Sequence, residues 1–264
     1  MSEFAKIIIA THKKYDMPKD KIYLPVRVGA ALADDDFGYQ RDDEGENISK
    51  KNPYYCELTG LYWAWKNCDA KYIGLVHYRR HLGIKKTLAT TPARRMKKVL
   101  TEAQLRLLLA DNDIILPKKR NYFVINLYSH YESTLYVEPL DAVRKIIMED
   151  YPEYYAEMRK LEKRKTAHLF NMFIMRKDIL DDYCSWLFEV LGKLEKTTNP
   201  KEYDAFHARF YGRISELLLD VYVRTKNLKY AEVPVINIEG ENLVKKGVGY
   251  ATSKVFGKKY ERSY

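Results

Sequence analysis

An α/β fold, with a mostly parallel sheet flanked by helices in a single domain, is what this 264-residue chain predicts. Three observations lead there. Short apolar, β-branched runs recur at 6–10 (KIIIA), 72–76 (YIGLV) and 113–116 (DIIL), each suited to a strand buried on both faces. Between them lie longer segments whose apolar residues return at helical spacing. Polar and basic clusters follow the strand ends, where open sheets of this kind bind ligands.

Lys6 to Ala10 reads as the first buried strand and THKKYDMP as the loop after it, with Pro18 and Pro25 opposing an early helix. Val26 to Leu32 is apolar without a decisive period. Asp34 to Asn52 is polar and acidic and contains glycine, so it reads as a long loop, a kind that is usually functional or disordered. Glu57 to Asn67 reads as a helix with Leu58, Leu61, Tyr62 and Trp65 on its inner stripe. Glu57 stands at the positive end of that helix, which favours a capping role. Trp63 lies off the stripe, whereas Trp65 and Trp186 read as core.

Tyr72 to Val76 is the next strand, and HYRRHL leaves its end. Thr101 to Ala110 reads as a helix whose TEAQ start matches a capping box. Asp113 to Leu116 is a third strand, halted by Pro117, with PKKRNY beyond. Glu138 to Lys165 is helical with a break near Pro152, and Phe170 to Met175 reads as a strand. Lys177 to Leu191 and Arg213 to Thr225 are amphipathic helices, and Val233 to Ile238 is a last strand. Residues 1–240 form the predicted domain; residues 241–264 form a basic tail suited to a membrane surface.

Composition narrows the function. The hydrophobic share is 46% and the charged share 31%, as in a globular protein. Three scattered cysteines, Cys56, Cys68 and Cys184, do not make a disulfide framework or a zinc site and read as buried free thiols. The IIIA run is too short for a secretory signal, and no apolar stretch is long enough to span a bilayer. The expected location is therefore cytoplasmic, peripheral on the inner face of the membrane. A net charge of +10 admits nucleic acid, an anionic membrane or phosphorylated substrates as partners. No zinc-finger, KH or RRM signature is present, so nucleic acid is not the expected partner. Dinucleotide, Walker A, HExxH and GxSxG signatures are missing as well, which removes most dehydrogenase, P-loop and hydrolase readings.

Between Asn47 and Leu82 a polar loop feeds an aromatic helix, then a buried strand, then a polar cluster. Nucleotide-sugar transferases of the GT-A fold have this layout, with an Asp-x-Asp at the strand end holding a metal on the donor diphosphate. Here that place reads His77-Tyr78-Arg79-Arg80-His81. ENISKKNPYYCELTGLYWAWKN with YIGLVHYRRHL resembles a family of glycosyltransferases from bacterial capsule and exopolysaccharide loci. DIILPKKRNY, SHYEST, FNMFIMRKDILDDYCSWLFEVL and RISELLLDVYV are similar to its later blocks, in order. The resemblance implies a GT-A-like, Rossmann-like fold. It also implies transfer of a hexosyl group, with galactofuranosyl as the associated case, from a UDP-sugar to a glycan acceptor. The expected acceptor rides on a polyprenyl diphosphate lipid, in capsule, exopolysaccharide or lipopolysaccharide synthesis, with inverting chemistry.

Site expectations follow. Arg79 and Arg80, with His77 and Tyr78, stand where the diphosphate lies, so guanidinium groups replace a metal. No cofactor is required on this reading, although manganese or magnesium stays open. Thr11, His12 and Lys13 follow the first strand and are expected at the nucleobase and ribose, with Tyr15 or Tyr39 stacking, and Asn47 points polar groups to the donor. Glu216, near a helix start, is the first candidate for general base and His130 the second. Tyr131, Asn171 and Trp63 are expected at the acceptor. Two rival readings stay open: a basic nucleic-acid-binding protein, and an inactive sugar-binding scaffold.

Overall fold

The computed structural model describes residues 3–240, so the tail at 241–264 lies outside the described residues. β1 (Glu3–Thr11) carries the first apolar run, and Ile7, Ile8 and Ile9 are fully buried. Ile8 packs into one apolar cluster and Ile7 and Ile9 into another, because helices or loops cover both faces of the strand. β2 (Tyr23–Arg27) and β3 (Gln40–Arg41) continue the sheet on one side. α1 (Asn52–Tyr55) and α2 (Leu58–Asn67) bring the chain back to β4 (Ala70–His77). β4 runs parallel to β1 with His77 beside Ala10, so two strand ends meet at one place. β5 (Arg80–Leu82) then turns back, and Arg80 pairs with His77.

The next elements are α3 (Pro92–Met96), α4 (Glu102–Leu108), β6 (Ile114–Pro117), β7 (Arg120–Asn121) and α5 (Leu127–Thr134). The capping box expected at Thr101 forms, with Thr101 and Gln104 bonding reciprocally. α6 (Glu138–Asp150) and α7 (Pro152–Glu162) break at Pro152 as read. β8 (Thr166–Ala167) and β9 (Phe173–Arg176) precede α8 (Lys177–Thr197) and α9 (Phe210–Thr225), and β10 (Tyr230–Val233) and β11 (Val235–Asn237) close the described fold.

The main sheet runs β10-β6-β9-β4-β1-β2-β3, with β5 attached to β4 and β11 attached to β5. The pairs β1–β2, β1–β4, β2–β3 and β6–β10 are parallel. β9 is antiparallel to both β4 and β6, so the sheet is mixed while remaining mostly parallel along its path. Gly74 is required at this seam, since a Cβ there would meet the Ile174 side chain at 2.7 Å and the Phe173 carbonyl oxygen at 2.8 Å.

Several features differ from the sequence reading, among them α8, which runs on to Thr197, and α9, which begins at Phe210. β9 starts at Phe173 because Phe170 and Asn171 have positive φ, 76° and 51°, which ends any strand. The last strand splits into β10 and β11, which pair with different neighbours, on either side of Pro234. The acidic loop at 34–52 is ordered around buried Asp42, which accepts from Gly29 N, Ala30 N and Ser49 Oγ.

Candidate active site

A cavity of about 680 Å³ opens where β1 and β4 end, a size suited to a small-molecule ligand. All three segments flagged by the strand-end rule reach it. THKKYD contributes His12, HYRRHL contributes His77 to Arg80, and PKKRNY contributes Arg120 and Tyr122. His130 and Tyr131 reach it from α5, and Glu216 from α9.

Phe170 and Asn171 organise this wall. Two consecutive left-handed residues without glycine are costly, on the order of 1 kcal/mol each. The Asn171 side chain holds them: Nδ2 donates to Glu57 Oε1 (2.7 Å) and Gly212 O (2.8 Å), and Oδ1 accepts from Ser215 Oγ (2.9 Å). Phe170 then faces three site residues. Its N–H favours the charged form of Glu216, its carbonyl meets His77 Nε2 at 2.5 Å, and its ring lies 4.8 Å beneath the Arg80 guanidinium.

Burial raises Glu216 to about 7, and the nearby charge of Glu57 adds to the rise. The Phe170 N–H, Arg213 and Arg80 oppose it without cancelling it. Such a carboxylate is poised for proton transfer near neutral pH. His130 is driven the other way, to about 4, by burial and by Arg120, and its ring packs 4.0 Å from that of Tyr122. His12 is lowered by partial burial and then by Lys13, Arg27, Arg209 and Arg79. Arg79 donates to Glu239 Oε2 at 3.0 Å and stacks on Tyr78. Glu239 also accepts from the Tyr15 hydroxyl at 2.8 Å.

Several expected site residues stand elsewhere. Thr11 is buried, and its hydroxyl donates to the Lys13 carbonyl at 2.7 Å. Lys13 is exposed and does not line the cavity. Asn47 is spent inside its own loop, donating to Asp43 O and Gly45 O. Trp63 is buried, with its indole N–H on Glu44 O at 2.9 Å, so it pins the acidic loop instead of facing a sugar. Tyr39 likewise bonds the Tyr15 backbone. Asn171 lies beneath the cavity wall, where it positions other groups. His77 reaches the cavity, but its Nε2 is taken by Phe170. Glu57 makes no side-chain cap on α2 and instead lines the cavity on Asn171. Cys184 is buried as read, whereas Cys56 lies on the cavity wall.

Arg209, Arg213 and Phe206 on the wall escaped the sequence reading. A signal existed: two arginines at the start of α9, with no acid in its first turn, oppose the helix dipole. Among the described residues no group of three or more His, Cys, Asp or Glu is placed to hold a metal ion. Nor is any described helix long and apolar enough to cross a membrane.

A family model described as a domain of unknown function, DUF4422, matches residues 6–227. No curated protein matches the chain. Among solved structures, the apo structure of the bifunctional glycosyltransferase WbbM is similar, with 33% identity and a TM-score of 0.83. The match covers 90% of this chain and 46% of that one, so the chain spans about half the length of that protein.

Proposed function

The chain belongs to the DUF4422 family, and from that premise we propose that it is a glycosyltransferase moving a hexosyl group from a nucleotide sugar to a growing glycan. The observation that carries this reading is Glu216, a cavity carboxylate held near 7 with cations from β5 and α9 around it. The fold shared with a bifunctional glycosyltransferase supports it.

In the proposed reaction the acceptor hydroxyl gives its proton to Glu216 as its oxygen bonds to the anomeric carbon. The bond from that carbon to the donor phosphate oxygen breaks, and the nucleoside diphosphate leaves with the electron pair, inverting the centre. Glu216 takes this role over His130, because a base near 7 accepts the proton more readily than one near 4. His130 and Tyr131 are assigned to the acceptor, and His12 and Tyr78 to the donor. Arg79 and Arg80 meet the growing charge on the diphosphate, with Arg79 exchanging Glu239 for it. Metal-independent chemistry is part of the proposal. The β4–β5 turn has no carboxylate, and the other acid on the wall, Glu57, is engaged by Asn171, so these residues do not fit a divalent cation.

UDP is the proposed nucleotide and galactofuranose the first sugar to try, with a polyprenyl-diphosphate-linked glycan of capsule or lipopolysaccharide type as acceptor. The segment 83–100 holds six basic and no acidic residues and exposes Leu88, which supports contact with an anionic membrane surface. The test is turnover of a panel of UDP-sugars in manganese and in EDTA. Transfer that persists in EDTA and falls more than about tenfold in Arg79→Ala with Arg80→Ala is expected. Absence of turnover from every nucleotide sugar would sink the proposal.

A further inference from the structure

The first turn of α9 carries the wrong charge for a helix start. Arg209 is its N-cap, Arg213 lies four residues on, and no acid stands in that turn. The positive end of a helix disfavours cations, and like charges at this spacing repel. Both side chains line the cavity. Several other arginines are neutralised, Arg79 by Glu239, Arg144 by Glu162 and Arg176 by Asp178.

Arg209 and Arg213 form no ion pair among the described residues. Arg209 Nε donates to Cys56 Sγ at 3.0 Å, which leaves its terminal N–H groups for another acceptor. The Arg213 guanidinium stacks 3.9 Å from the Phe206 ring centre. Burial, and then the charge of Arg209, push Arg213 below the ordinary arginine range. Cys56 and the Phe206 ring fix these two cations, and the Glu216 charge reaches both without a carboxylate in contact with either. An anion with several oxygens would relieve both repulsions at once.

We propose that Arg209 and Arg213 form a clamp for a diphosphate, separate from the β4–β5 turn that the sequence pointed to. The clamp rests on the transferase reading only for its source: a nucleoside diphosphate leaving group, or the diphosphate of a lipid-linked acceptor. Shared chemistry makes one experiment serve both. Calorimetry on the full chain would measure inorganic pyrophosphate, UDP, uridine and geranyl diphosphate against wild type and the double variant Arg209→Met with Arg213→Met. Pyrophosphate and at least one diphosphate ester should weaken by about tenfold or more while uridine is unchanged. Weaker UDP identifies the donor, and weaker geranyl diphosphate alone identifies the acceptor lipid. Unchanged affinity for all three diphosphates overturns the clamp. Should the double variant fail to fold, Arg209→Lys and Arg213→Lys separately keep the charge but lose the fork, and each should weaken pyrophosphate measurably; no weakening in either overturns it. Pyrophosphate binding without any sugar transfer would leave the clamp standing and remove the transferase. Sugar transfer with undiminished diphosphate affinity in the variant would do the reverse.

Discussion

Glu216 and Asp220 lie one turn apart on α9, and they differ in what surrounds them. Asp220 is fully buried and well satisfied: Oδ2 accepts from the His168 N–H at 2.9 Å and Oδ1 meets His168 Nδ1 at 2.5 Å. The other nitrogen of that imidazole reaches Glu232 at 2.8 Å, and Glu232 pairs with Lys119. Glu216 has no such set of partners: burial and the Glu57 charge oppose its charged form, and the Phe170 N–H, Arg213 and Arg80 favour it. Burial alone therefore does not single out the proposed base on this helix. What separates the two is how many donors meet the carboxylate.

The widest separation should appear in chemistry. Glu216→Gln is expected to lower transfer by about a thousandfold, within the range of a lost general base, with diphosphate binding intact. Steady-state turnover and calorimetry on the same variant check this, and transfer within a few-fold of wild type would make Glu216 structural. Stability should separate the pair in the opposite sense. Asp220→Asn breaks a buried network and should cost about 3 kcal/mol in urea denaturation. Its turnover per folded molecule should fall far less than that of Glu216→Gln.

The smallest effect is the most diagnostic. Turnover should fall as pH drops through about 7, when Glu216 takes up its proton. Asn171→Asp keeps the shape and the acceptor for Ser215 but cannot donate to Glu57 and adds negative charge beside it. That change should move the midpoint upward by a fraction of a pH unit, on the order of 0.5. Glu216 itself has a folded value raised above its unfolded one, so its contribution to stability is complete below about 4.5 and is lost as pH rises through about 7. Glu216→Gln should therefore gain stability relative to wild type at pH 8 and not at pH 4.

Legibility followed physical scale. β1, β4 and β6, α4 with its capping box, and α8 could be read because period, length and caps are local properties. The three strand-end segments could be read because chain direction sets where a parallel sheet opens. The reversed direction of β9 could not, since a strand buried on both faces carries no mark of orientation. Trp63 was misread because a helix wedged between a sheet and a folded-back loop buries more than one stripe. Phe170 gives no compositional signal of its left-handed backbone, the neighbouring Asn171 gives only a weak one, and the partners that hold Asn171 are remote in sequence. Arg209 and Arg213 were visible as an electrostatic misfit at a helix start, but their meaning depends on Cys56, 153 residues away from Arg209.

The reversed strand also sets an order of manufacture. Within the sheet ladder, the β6–β10 edge joins the β4–β1–β2 body through β9. On a ribosome, the body from β1 to β4 can pair early, while β6 must wait some sixty residues for β9 to arrive. The proposed base, Glu216, comes later still, on α9. A chain cut short between β5 and that helix would carry His12 and the β4–β5 turn but lack the residue proposed as base, Glu216.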